Sequence, residues 1–175
     1  KAEIVAKRGM ELDPSCSITG IHSNVEDVVD WDYDLIIGCV DNLKARMHVN
    51  AHAYHHGVPF IDGAIDGFIG KVQVIVPGGP CLECTLNRTH VELMEMRFTC
   101  TGNGEAFVPK KASDITTASI IAAIQVREAL KLMSDKQELC IRDISYYDGM
   151  SGNMGIYTVP VSTSCPNHRC VDESD

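Results

Sequence analysis

The chain has 175 residues, 45% of them hydrophobic and 22% charged, with a formal net charge of −9. That length holds one domain with a real core, and the acidic balance excludes a general nucleic-acid binder, which needs a basic face. No run approaches the roughly 18 apolar residues that span a bilayer.

The first residues, Lys1-Ala2-Glu3-Ile4-Val5-Ala6, open an amphipathic helix. They carry no signal-peptide apolar core and no initiator Met, so the sequence reads as part of a longer, cytoplasmic protein. Helical periodicity covers residues 1–12 and stops at Asp13-Pro14. Residues 17–22 read as a short strand. Residues 34–40 are nearly continuous apolar chain, which suits a parallel strand buried on both faces. Asp41 follows at once, then a predicted helix over 42–56 ended by Gly57, and a strand over 58–61. Strand, helix and strand make a right-handed crossover, so the expected fold class is α/β.

Residues 68–76 then alternate like an antiparallel strand, turned by Pro77-Gly78-Gly79-Pro80. Residues 99–113 are polar and without period, which reads as a mobile loop. Asp114 is placed to cap a helix over 115–133 with an apolar stripe of Ile120, Ile121, Ile124, Ala129 and Leu132. Residues 139–147 and 154–161 read as a hairpin around Asp148-Gly149.

Eight cysteines without a secretion signal point to thiols, metal ligands or catalysis rather than disulfides. Cys81-Leu82-Glu83-Cys84 follows a Pro/Gly turn, and Cys165-Pro166-Asn167-His168-Arg169-Cys170 closes the chain. Two such knuckles brought together make a closed tetrahedral zinc site on Cys81, Cys84, Cys165 and Cys170, a structural staple without an open position for substrate. The second pair is more widely spaced than usual, and His168 is an alternative ligand. The competing reading of Cys81/Cys84 as a redox pair lacks the usual helix start after a strand.

Ligands of open α/β sheets bind beyond the carboxyl ends of the parallel strands, where Asp41 sits. Its carboxylate there either caps the following helix or holds Mg2+ beside nucleotide phosphates. Arg46, one turn on, has the reach for a phosphate or carboxylate. Thr101-Gly102-Asn103-Gly104 follows no predicted strand and opens no helix, so it is not a phosphate loop. His48, His52 and His56 recur at i, i+4 without a zinc-protease glutamate and read as a solvated helix face.

Gly38-Cys39-Val40-Asp41-Asn42-Leu43-Lys44-Ala45-Arg46, the two Cys pairs, and the stretch from Thr116 through Ala118, Gln125 and Glu128 to Leu132 together resemble the ThiF/MoeB/HesA family of ubiquitin-activating-type adenylating enzymes. The similarity covers nearly the whole chain in order. It implies a Rossmann-like, mostly parallel sheet continued by antiparallel strands, and ATP-dependent adenylation of the C-terminal glycine of a ubiquitin-like protein. It further implies that Asp41 binds Mg2+, Lys1 contacts ATP phosphates, Asn42 lines the nucleotide pocket, and Arg46 anchors local structure or the incoming tail. Cys100 is the candidate for capturing the acyl group as a thioester, with Arg97, Lys110 and Lys111 near it in sequence. The resemblance also implies dimers.

The family's Gly-rich nucleotide loop, ribose-binding acidic residue and phosphate-contacting Arg match nothing in residues 1–175. The chain therefore reads as the C-terminal part of a single adenylating domain with an incomplete N-terminal half, inactive alone. Two rivals remain: a non-catalytic, zinc-stapled partner subunit, and an NAD-dependent oxidoreductase on a similar sheet.

Overall fold

Helix α1 (Ala2–Leu12) ends where Asp13-Pro14 predicts. The Asp13 carboxylate accepts the Ser15 hydroxyl at 2.6 Å, the Ser15 N–H at 3.0 Å and the Cys16 thiol at 3.2 Å, turning the chain away from the helix. Those donors, the Ser15 hydroxyl first, hold its carboxyl below the usual range. The computed structural model describes residues 1–86 and 114–169, which fall into two compact units, Lys1–Asp30 and Trp31–Asp175. In the first unit, residues 17–22 are irregular chain rather than a strand, with Gly20 set against the backbone of Ala2 and Glu3. Among the described residues of that unit no strand exists to pair with them, and an unpaired strand leaves its backbone groups unsatisfied.

The second unit is a five-stranded mixed sheet in the order β1 (Ile36–Gly38), β2 (Phe60–Asp66), β3 (Ile69–Ile75), β4 (Ile144–Asp148) and β5 (Asn153–Tyr157). β1 and β2 pair in parallel, and the three remaining pairings are antiparallel. The expectation of a mostly parallel sheet is thus corrected for the described residues. β1 and β2 are joined by α2 (Leu43–His55), the expected crossover. Gly57, with φ +71°, ends α2 in a conformation that a side chain would strain.

Alternation along β2 and β3 sorts the two faces. Ile61, Val72, Val74 and Val76 point to one side and pack with Ile121, Ile124 and Ala129 of α3 (Ile115–Met133) and with Cys140. Burying each such aliphatic side chain contributes about 1.5–3 kcal/mol. α3 approaches closely because Gly63 and Gly70 lie beneath it, where a Cβ would collide with Gln125 and Ile121. Phe60 and Asp62 face the other way, where Asp62 meets Arg46 of α2.

α3 has the predicted bounds, and Asp114 caps it by accepting the Thr117 N–H at 2.8 Å. Its stripe is broader than predicted, because Thr117, Gln125 and Glu128 are also buried. Glu128 accepts the Ile141 N–H at 3.0 Å and the Lys131 ammonium at 2.8 Å, which ties the helix to the following turn. The strands are displaced from expectation: β1 is shorter and is not buried on both faces, since Ile37 is 42% exposed; β2 runs on past Ile61 into a hairpin with β3, and β4–β5 pair over 144–148 and 153–157. The expected loop over 99–113 lies outside the described residues.

The face carrying His48, His52 and His56 is not simply solvated. Trp31, 5% exposed, stacks on His52 with ring centroids 4.6 Å apart and 12° between planes. Burial, followed by the neighbouring histidines His48, His56 and His55, lowers the His52 pKa.

Candidate active site and metal centre

The junction between β1 and α2 is held from both sides. Gln125 of α3 donates to the Gly38 carbonyl at 2.9 Å, and Arg46 donates to the Val40 carbonyl at 2.8 Å. Asn42 starts the helix, its side-chain oxygen accepting the Ala45 N–H at 2.8 Å. The cap of α2 is therefore Asn42, and the reading of Asp41 as that cap is corrected. Asp41 sits one residue earlier, exposed, at the carboxyl edge of the parallel pair.

Arg46 is 8% exposed, with its guanidinium donating to the Asp62 carboxylate, to the Gly63 carbonyl at 2.8 Å and to the Val40 carbonyl. Asp62, 1% exposed, and half-buried Lys71 complete this group. Burial raises the Asp62 carboxyl against the pull of Arg46 and Lys71, and burial lowers the Lys71 ammonium. A cavity of about 250 Å³ opens beside them, lined by Leu43, Arg46, Met47, Lys71 and Ile144 among others. Asp62 was missed in the sequence, and Gln125 entered there only as part of the family resemblance, without a site role. The signal was a carboxylate directly after Phe60-Ile61 and an amide between apolar helix positions.

The second cluster joins the turn after β3 to the chain's end. The ligand atoms of Cys81, Cys84, Cys165 and His168 all lie within 4.8 Å of one another. Cys81 Sγ is 3.9 Å from Cys84 Sγ and 3.5 Å from Cys165 Sγ. Tetrahedral zinc with Zn–S bonds of about 2.3 Å sets its sulfurs about 3.8 Å apart, so the three thiols fit the metal. Cys81 and Cys165 are buried, and burial with the neighbouring Cys81 thiol pushes Cys165 up to about 12. Asn167 Nδ2 donates to Cys81 Sγ at 3.5 Å, and the Ser162 N–H donates to Cys84 Sγ at 3.5 Å. Asn50, fully buried in α2, accepts the Leu82 N–H at 3.0 Å and so holds the first knuckle.

Of the residues singled out in the sequence, Asp41, Asn42 and Arg46 meet at the β1–α2 junction, and Cys81, Cys84 and Cys165 meet in the thiol cluster. Lys1 belongs to the first unit, directly before α1. Cys100, Arg97, Lys110, Lys111, Thr101–Gly104 by number 101–104, and Cys170 lie outside the described residues.

Residues 1–170 match the ThiF family. The chain belongs to the ThiF family. Among its relatives is the SAMP-activating enzyme E1 of Haloferax volcanii, 29% identical over 95% of this chain and 59% of that protein. Another is the sulfur carrier protein ThiS adenylyltransferase of Bacillus subtilis, 29% identical over 78% of this chain and 39% of that protein. The crystal structure of Escherichia coli MccB with ATP shares the fold, with a TM-score of 0.71 and 14% identity over 94% of this chain and 49% of that one. This ThiF-family chain thus spans about half the length of the relatives it matches. No helix among the described residues is long and apolar enough to cross a membrane.

Proposed function

We propose that the protein carrying this chain adenylates the C-terminal glycine of a ubiquitin-like or sulfur-carrier protein with ATP, in a reducing compartment such as the cytoplasm. The observation that carries the reading is Asp41: an exposed carboxylate at the carboxyl edge of β1, on a junction pinned by Arg46, Gln125 and Asn42, within a ThiF-family chain. The names of the relatives, an E1 and an adenylyltransferase, agree with it.

In this reading Asp41 holds Mg2+, Asn42 lines the nucleotide pocket beside it, and Lys1 meets the phosphates. The metal, when bound, offsets negative charge on the phosphates while the substrate carboxylate attacks the α-phosphorus and pyrophosphate leaves. Arg46 is a positioning residue, because its guanidinium is already engaged by Asp62 and two carbonyls. The roles of Lys1, Asp41 and Asn42 belong to one adenylating domain that includes residues 1–175.

The thiol cluster is read as a structural zinc site, with Cys170 joining Cys81, Cys84 and Cys165. Three buried or half-buried sulfurs at zinc-like separations, with N–H groups donating to two of them, support that reading. Cys100 is proposed as the acceptor of the activated acyl group. In the full-length protein with ATP, Mg2+ and its partner, mass spectrometry should find a reductant-sensitive conjugate that vanishes with Cys100→Ser. A conjugate that survives Cys100→Ser moves the role to another thiol, and an adenylate without any conjugate marks an enzyme that stops at adenylation.

A further inference from the structure

The cavity beside Arg46 is lined by Leu43 of α2, Leu82 next to Cys81 and Ile144 of β4, together with Arg46 and Lys71. Its charges do not balance. Among the described residues the carboxylate that acts on Lys71 is Asp62, which already accepts the Arg46 guanidinium. Two cations therefore share one anion, a local positive excess in a chain whose formal net charge is −9. Burial lowers the Lys71 ammonium, Asp62 opposes that, and the Arg46 charge adds to it. A second carboxylate beside Lys71 would offset the excess.

A polar group on the same face of the sheet shows what such a carboxylate is attached to. Gln73 lies two residues beyond Lys71 on β3, so both project to the side that carries Asp62. Its cross-strand neighbours are Asp62 and Ile144, one on each side. Gln73 is 2% exposed, and both its amide oxygen and its amide nitrogen are buried without a hydrogen-bond partner. Buried side-chain amides are nearly always bonded. A primary amide offers both an acceptor and donors, the complement of a main-chain N–H and C=O. An ammonium for a carboxylate, an amide for a peptide group and apolar walls for methylenes fit an acidic residue within a peptide. A free inorganic anion would leave the Gln73 oxygen and the apolar walls unused.

We propose that this cavity binds an acidic side chain in the C-terminal tail of the protein that is adenylated, with Lys71 selecting it and Gln73 holding the adjoining peptide group. The inference deepens the adenylation reading above and rests on it. Arg46 links the two places, because the guanidinium that borders the cavity also fixes the Val40 carbonyl ahead of Asp41. A tail anchored at Lys71 has lost freedom before it reacts, so the contact acts through binding and orientation.

The test uses the full-length protein and short synthetic peptides ending in glycine, with Glu, Gln or Lys placed at each preceding position in turn. Calorimetry should find one position at which Glu binds about 10-fold tighter than Gln, the size of one charge-assisted hydrogen bond. Lys71→Met should abolish that preference, and Lys71→Glu should reverse it in favour of the Lys peptide, which a merely structural lysine would not do. Gln73→Leu should keep the preference while weakening every peptide alike. No position that favours Glu, or a preference left intact in both Lys71 variants, would overturn the proposal. ATP–pyrophosphate exchange separates the two readings. Exchange that proceeds without any acidic preference would overturn the Lys71 subsite and keep the adenylation reading. Absence of exchange with every peptide and with the carrier protein would overturn the adenylation reading, and with it the occupant assigned here.

Discussion

Arg46 and Asp62 show how a single ion pair fixes the backbone beside the candidate site. Both side chains are buried, and the pair carries the Val40 carbonyl, hence the approach to Asp41. Removing one partner leaves the other charged and buried, which costs about 3–5 kcal/mol. Asp62→Ala should therefore lower stability by about that amount in urea unfolding; a loss below about 1 kcal/mol would show that the pair does not hold the junction. Arg46 was legible in the sequence as a cation one turn beyond Asp41, but its partner was not. Only the register that sets Phe60 beside Ile36 brings Asp62 next to α2. Asp41 shows the reverse case: its place after an apolar strand was legible, while the competing role of helix cap went to Asn42.

Elements were legible where one local signal dominates. α3 carries a cap, a stripe and a propensity that agree, and its bounds are those of the sequence reading. Its cap gives a pH dependence. Hydrogen bonds from Thr116 and then Thr117 lower the Asp114 pKa, so the folded state favours the carboxylate. That contribution is fully present above the ordinary value of about 3.9 and is lost as pH falls through the lowered folded value. Acid titration of stability should flatten in that window for Asp114→Asn, which caps without charge; an unchanged acid limb would contradict it. The strands were less legible, because pairing decides their length. β2 extends to Asp66 only since β3 returns beside it, and residues 17–22, which read as a strand in the sequence, pair with no strand among the described residues of their unit.

At the scale of the whole molecule, two distant sequence segments meet in the thiol cluster. Cys81 and Cys84 follow β3, while Cys165 and His168 close the described chain. Structural zinc contributes on the order of 10 kcal/mol, and each kcal/mol moves Tm by about 2–4 °C at this size. Chelation under reducing conditions should thus lower Tm by roughly 20 °C or more. A chelator-treated protein that is verified metal-free and melts unchanged would show that the cluster does not staple the fold. The thiol spacing pointed to Cys81, Cys84 and Cys165, which the fold brings together, but the places of Asn167 and Asn50 around them appear only once the chain is folded. The central claim concerns the other site, and partner-dependent ATP–pyrophosphate exchange by the full-length protein tests it most directly. Wild-type protein should exchange only with its carrier protein present, and Asp41→Ala should lose exchange while keeping its circular dichroism and zinc. Exchange that persists near the wild-type rate in Asp41→Ala, or its absence from folded, zinc-loaded wild type supplied with its partner, would contradict the account.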